Sequence, residues 1–168
     1  MSDDTAPQTP EAPKRLTQEE KRQMRSAARL FAVQALFQME AAGTTVDKVM
    51  AEFEEFRFGA ETEEGTYAEG NLALFRQICT DAVNYQALID QMTDRALVAK
   101  WPINRIDPTL RALFRAAGAE MTQAETPPKV VIMEFVDVAK AFFPEGKEPK
   151  FVNAVLDHMA REAKPEAF

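Results

Sequence analysis

The chain has 168 residues, 46% hydrophobic and 28% charged, which fits one domain with a real core. Six glycines are too few for the frequent turns of a many-stranded sandwich or barrel. A formal net charge of −7 argues against a nucleic-acid partner for the chain as a whole, but the charge is unevenly spread along it.

Residues 1–16 contain Pro7, Pro10 and Pro13 and no apolar periodicity, so they read as a disordered tail, with a domain over 17–164. Thr17 followed by Glu20 is a capping-box signature. It starts a helix that should reach Glu40 or Ala42 and end at Gly43. The second half of that helix carries Leu30, Phe31, Val33, Leu36 and Phe37 in nearly every direction, the pattern of a helix buried on all sides. Phe31→Ala is then expected to cost about 3–5 kcal/mol if the ring is fully buried.

Val46, Val49, Met50 and Phe53 make the stripe of a short second helix. Glu54 to Gly70 reads as an acidic, flexible loop. Leu72, Phe75, Cys79 and Ala82, then Leu88, Ile89 and Met92, predict a third helical stretch broken near Asn84 and ending at Trp101-Pro102. Asp107-Pro108 is an N-cap followed by proline at the first helical position. It opens a helix whose face is Leu110, Leu113, Phe114, Ala117 and Met121. Thr126-Pro127-Pro128 starts the next, with Val131, Phe135, Val138 and Phe142 inward. Val130-Val131-Ile132 also suits a strand, but the longer 3.6-residue period outweighs it. Pro149 opens a last helix with Val152, Val155, Leu156 and Met159 facing in. The fold class is therefore all-α, with six or seven helices in one bundle.

Several chemistries are missing. One cysteine and one histidine, Cys79 and His158, remove His/Cys metal sites and most catalytic triads. Cys79 lies in an apolar stripe and reads as core, while His158 reads as a surface helix residue. There is no phosphate-cradling glycine motif. No cofactor and no metal are indicated. The polar N-terminus and the lack of a long apolar run suggest no membrane partner and a cytoplasmic protein.

Two segments carry binding chemistry. From Lys14 to Arg29 there are six basic residues against two glutamates, and Arg22, Arg25 and Arg29 share one helix face by their 3 and 4 spacing. Guanidinium groups there suit bidentate phosphate contacts and stacking on unpaired bases; a merely solvated cationic face is the alternative. The second segment, Lys147 to Asn153, combines lysines with Phe151 and Asn153 at a helix N-terminus, which favours anions. Here the alternative is that Phe151 is core and Asn153 bonds backbone.

Ala28-Arg-Leu-Phe-Ala-Val-Gln-Ala-Leu-Phe37 resembles the first helix of the NusB transcription-antitermination family. Arg105 to Glu120, Lys129 to Phe142 and Lys150-Phe-Val-Asn-Ala-Val-Leu-Asp157 resemble its later helices in order and spacing, over roughly residues 20–162. The resemblance implies two packed helical subdomains and no catalytic activity. It implies binding of boxA single-stranded RNA with NusE, a ribosomal small-subunit protein, in an antitermination complex on RNA polymerase at ribosomal RNA operons. It places RNA contacts on Arg22, Arg25, Arg29, Lys150, Phe151 and Asn153. The family's arginine run is interrupted here by Ser26 and Ala27, Phe37 stands where tyrosine is frequent, and Met133 where asparagine is. Two rival readings remain: the NusB-like module of an RNA cytosine methyltransferase, and a protein-interaction bundle without RNA binding.

Overall fold

A computed structural model describes residues 15–58, 69–97 and 105–168. The described residues form seven α-helices: α1 Gln18–Ala42, α2 Val46–Phe53, α3 Glu69–Asn84, α4 Gln86–Ala96, α5 Pro108–Gln123, α6 Pro128–Phe142 and α7 Glu148–Ala163. Most of the tail reading, the rest of the acidic segment and Trp101-Pro102 lie outside the described residues.

The helix ends follow local chemistry. The Thr17 hydroxyl oxygen accepts the Glu20 N–H at 3.1 Å, and the hydroxyl itself lies 3.1 Å from the Glu20 carboxylate. In an ordinary capping box that carboxylate reaches the cap's backbone N–H instead. At the far end Gly43 takes a left-handed φ of 63°. Its N–H donates to Glu40 O and the Thr44 N–H to Met39 O, which closes the last turn as a Schellman motif. Asp107 accepts the Thr109 N–H at 2.7 Å ahead of Pro108, starting α5 as the sequence predicts. The break between α3 and α4 falls at Tyr85, one residue past the expected Asn84.

Two expectations fail. Glu54 does not begin a loop; Glu54–Phe58 continues α2 as a π-helical turn. The cause is aromatic packing. Phe53 stacks on Phe75 with ring centroids 5.8 Å apart, Phe58 packs against the same ring at 4.9 Å with a 48° tilt, and Phe58 meets Phe31 edge-on at 5.3 Å. A five-residue separation matches the wider i→i+5 turn, which brings both rings to one face.

Nor is α1 the helix buried on all sides. Phe31 is only half-buried and Phe37 is 40% exposed. The full expected cost of losing a buried ring therefore belongs to fully enclosed rings such as Phe114 and Phe135. The central helix is α5, with Leu110 and Ala112 to Met121 buried apart from half-buried Arg115. It packs against α1, α3, α4, α6 and α7. Small residues permit this. A Cβ added at Gly118 would lie 2.5 Å from Ile89 Cγ2 on α4. Gly118→Ala is expected to lower stability by roughly 1–3 kcal/mol through overpacking, read from urea melts.

α1, α2 and α3 form one packed group and α4 to α7 another, joined where α5 meets α1 and α3. α6 runs beside α1 in the same sense. Ser26 bonds Glu134, Leu30 lines a groove with Val138 and Ala141, and Phe37 shares a cavity with Phe142. That alignment positions the candidate site.

Candidate nucleic-acid interface

The first turns of α1 reach past the core. Arg22 is exposed and held by Glu19, with Nη2 and Nε at 2.7 and 3.0 Å from its carboxylate oxygens. The hydrogen bond from Arg22 draws the Glu19 carboxyl below its usual range, and the same bond raises the Arg22 guanidinium. Arg25 is exposed one turn further on and makes no ion pair among the described residues.

Arg29 departs from the expectation that it meets RNA. It is 3% exposed. Its Nε and Nη2 each lie 2.8 Å from a Glu120 oxygen on α5, and Nη1 is 3.6 Å from Glu134 on α6. The Ser26 hydroxyl donates to Glu134 at 2.8 Å. Burial by itself would depress the Arg29 pKa, but the hydrogen bonds it donates to Glu120 and the charges of Glu120 and Glu134 outweigh it and the group stays cationic. The spacing of the arginines is as expected; one turn beyond Arg25, however, α1 has entered the bundle and the shared face is covered.

Lys150, Phe151 and Asn153 lie in the first turns of α7, and Lys150 and Asn153 are exposed. Phe151 is 37% exposed, and its ring leans on core Phe114 at 6.1 Å and 71°. That geometry leaves part of an aromatic face available while its base is supported. No side chain caps the α7 N-terminus, so its first-turn N–H groups add partial positive charge beside Lys150.

The two groups do not meet. No hydrogen bond or ring contact joins Arg22 or Arg25 to Lys150, Phe151 or Asn153. Arg22 feels the charges of Glu134 and Asp137 midway along α6, whereas α7 begins beyond Phe142 at the end of α6. Glu134 to Phe142 alone is about 12 Å at 1.5 Å per residue. Only an extended ligand can touch both.

Sequence reasoning missed a third feature. A cavity of about 480 Å³ lies between α1, α2 and α6, lined by Gln34, Phe37, Phe53, Arg57 and Phe142 among others. Phe37 and Phe56, 40% and 69% exposed, stand at or beside it. The available signal was Phe56, one of the aromatics that interrupt the acidic segment after Phe53. Elsewhere, Cys79 is enclosed and burial pushes its thiol up to about 12, so it is no nucleophile near neutral pH. His158 is exposed. Among the described residues no group of three or more His, Cys, Asp or Glu could hold a metal, and no helix is long and apolar enough to cross a membrane.

The fold and these surfaces define an all-helical binding protein, with a basic head, an aromatic step on α7 and an apolar cavity. The NusB family profile matches residues 26–161. A Mesorhizobium japonicum protein named transcription antitermination protein NusB is 47% identical over 143 residues, 84% of this chain and 92% of that one. Agrobacterium fabrum has a relative of the same name, 44% identical over 144 residues, 85% of this chain and 87% of its own. The structure of T. maritima NusB superposes with a TM-score of 0.69 at 30% identity, covering 86% of this chain and 96% of that one. A crystal structure of antitermination factors NusB and NusE with dsRNA gives a TM-score of 0.69 over 83% of this chain and 98% of that chain; at 23% identity it supports the fold alone. The chain belongs to the NusB family. That is a family of antitermination proteins and not of enzymes.

Proposed function

We propose that this chain binds boxA-type single-stranded RNA together with NusE and, within the antitermination complex on RNA polymerase, promotes processive transcription of ribosomal RNA operons in the cytoplasm. The observation that carries the reading is the exposure of Arg22 and Arg25, with Arg22 beside the middle of α6, and of Lys150, Phe151 and Asn153 in the first turns of α7, which begins past the end of α6. Separated cationic and aromatic contacts suit an extended strand, whose phosphates meet the arginines while an unpaired base stacks on Phe151. Arg29 drops out of the contact set because it is enclosed. The apolar cavity beside Phe37 and Phe56 suits a protein surface, and NusE is its proposed occupant.

The chain is acidic overall, at −7, so RNA binding by the chain alone is weak and NusE supplies much of the remaining affinity. The test is binding to a short boxA-like RNA with and without NusE over a salt series. Three cations on three phosphates (Arg22, Arg25 and Lys150) give a log–log slope of about −2 by the single-strand relation. Replacing Arg22 and Arg25 together with alanine removes about 1.4 from that slope. Binding that ignores salt, or that survives the double replacement, rejects the assignment.

A further inference from the structure

We infer that Arg29 is a positioning residue, whose buried ion triad with Glu120 and Glu134 fixes how the α1 head stands on the bundle and so aims Arg22 and Arg25 at RNA. This rests on the RNA-binding reading above.

Three charged side chains meet where the surrounding packing is apolar. Arg29, Glu120 and Glu134 are all buried, with two carboxylates for one guanidinium. A buried ion pair is seldom worth more than well-packed apolar groups, so stability alone does not account for it. What it does supply is direction. The two parallel 2.8 Å bonds to Glu120 hold only when the planar guanidinium and the carboxylate are aligned. The neighbouring packing lacks that selectivity. Close to Arg29 in the chain α1 carries Ala28 and Ala32, and close to Glu120 α5 carries Ala116, Ala117 and Ala119, all enclosed. Smooth alanine faces tolerate a small rotation or slide that a bidentate pair does not. In the head itself only Met24 and Ala28 are otherwise buried. Glu134 adds a second anchor on α6, bonded by Ser26 and paired with Arg29. The head is thus tied to two helices at one point, with Arg25 one turn and Arg22 two turns away.

The decisive variant is Glu120→Gln. It removes a negative charge that never meets RNA, so electrostatics alone would tighten RNA binding. Loss of positioning weakens it, by about tenfold if one charge-assisted contact to phosphate is lost. The salt slope separates this from simple unfolding. A smaller folded fraction lowers the number of binding sites but leaves the slope, whereas a misdirected arginine makes the slope shallower. Glu134→Gln, which keeps the Glu120 pair, serves as the milder variant if Glu120→Gln does not fold.

Amide hydrogen exchange over residues 18–28 provides a readout that needs no RNA: faster exchange in either folded variant is expected. A folded variant that binds as tightly as the parent at the same slope, or whose head keeps its protection, overturns the proposal. Failure of the parent protein to bind RNA at low salt overturns the RNA-binding reading instead, and the exchange measurement still decides whether the triad holds the head.

Discussion

Arg29→Ala is expected to lower stability by about 3–5 kcal/mol, because it strands two carboxylates inside the bundle. Glu120 is fully enclosed and Glu134 nearly so, and among the described residues no cation other than Arg29 forms an ion pair with either one. Urea melts at neutral pH measure the loss, with the slope of the transition reporting whether the native state stays compact. Arg29→Met combined with Glu120→Gln and Glu134→Gln should recover much of it, since the stranded charge rather than the missing contact dominates. Arg22→Ala is the matched control. Its partner Glu19 is exposed, and water screens such surface pairs so that they contribute little to stability. An Arg29→Ala cost below about 1 kcal/mol would mean that water reaches the carboxylates and that the triad is not a sealed contact.

Phe114→Ala is the second large effect, again about 3–5 kcal/mol for a fully enclosed ring. Phe114 sits on α5, which packs against α1, α3, α4, α6 and α7, so the cavity has little freedom to collapse. It also supports Phe151 from below through the 6.1 Å edge-on contact. Truncation therefore reaches the proposed interface: Phe151 loses a contact of about 0.5–1.5 kcal/mol and its ring is less fixed for stacking. Phe151→Ala gives the converse profile. Stability should fall far less, while RNA affinity should drop by about 1–3 kcal/mol for one unstacked base. Equal stability losses in the two variants would show that Phe151 is core rather than contact.

Much of the helical plan is written locally. Thr17 and Glu20 start α1 and Gly43 stops it; Asp107-Pro108 starts α5; the 3.6-residue period of Val131, Phe135 and Val138 resists the strand suggested by Val130-Val131-Ile132. These features depend on residues within a few positions of one another, so the chain states them without its neighbours. The acidic segment after Phe53 is the local exception. Its first five residues turn helical because Phe58 reaches Phe75 and Phe31, partners that no local pattern could supply.

The basic head divides along the same line. The sequence alone determined that Arg22, Arg25 and Arg29 share a face of one helix, because spacing along a helix sets direction about its own axis. It also determined the all-α class and, through several ordered segments, the NusB resemblance. Only the tertiary structure decided which arginines meet solvent. Where α5 and α6 cross α1, the same face becomes interior, and Arg29 finds Glu120 and Glu134, 91 and 105 residues away in the chain. Phe37 shows the reverse: apolar neighbours on its own helix marked it as core, but it borders a cavity and stays 40% exposed. Burial is a property of what packs against a face, and that is settled between helices rather than within one.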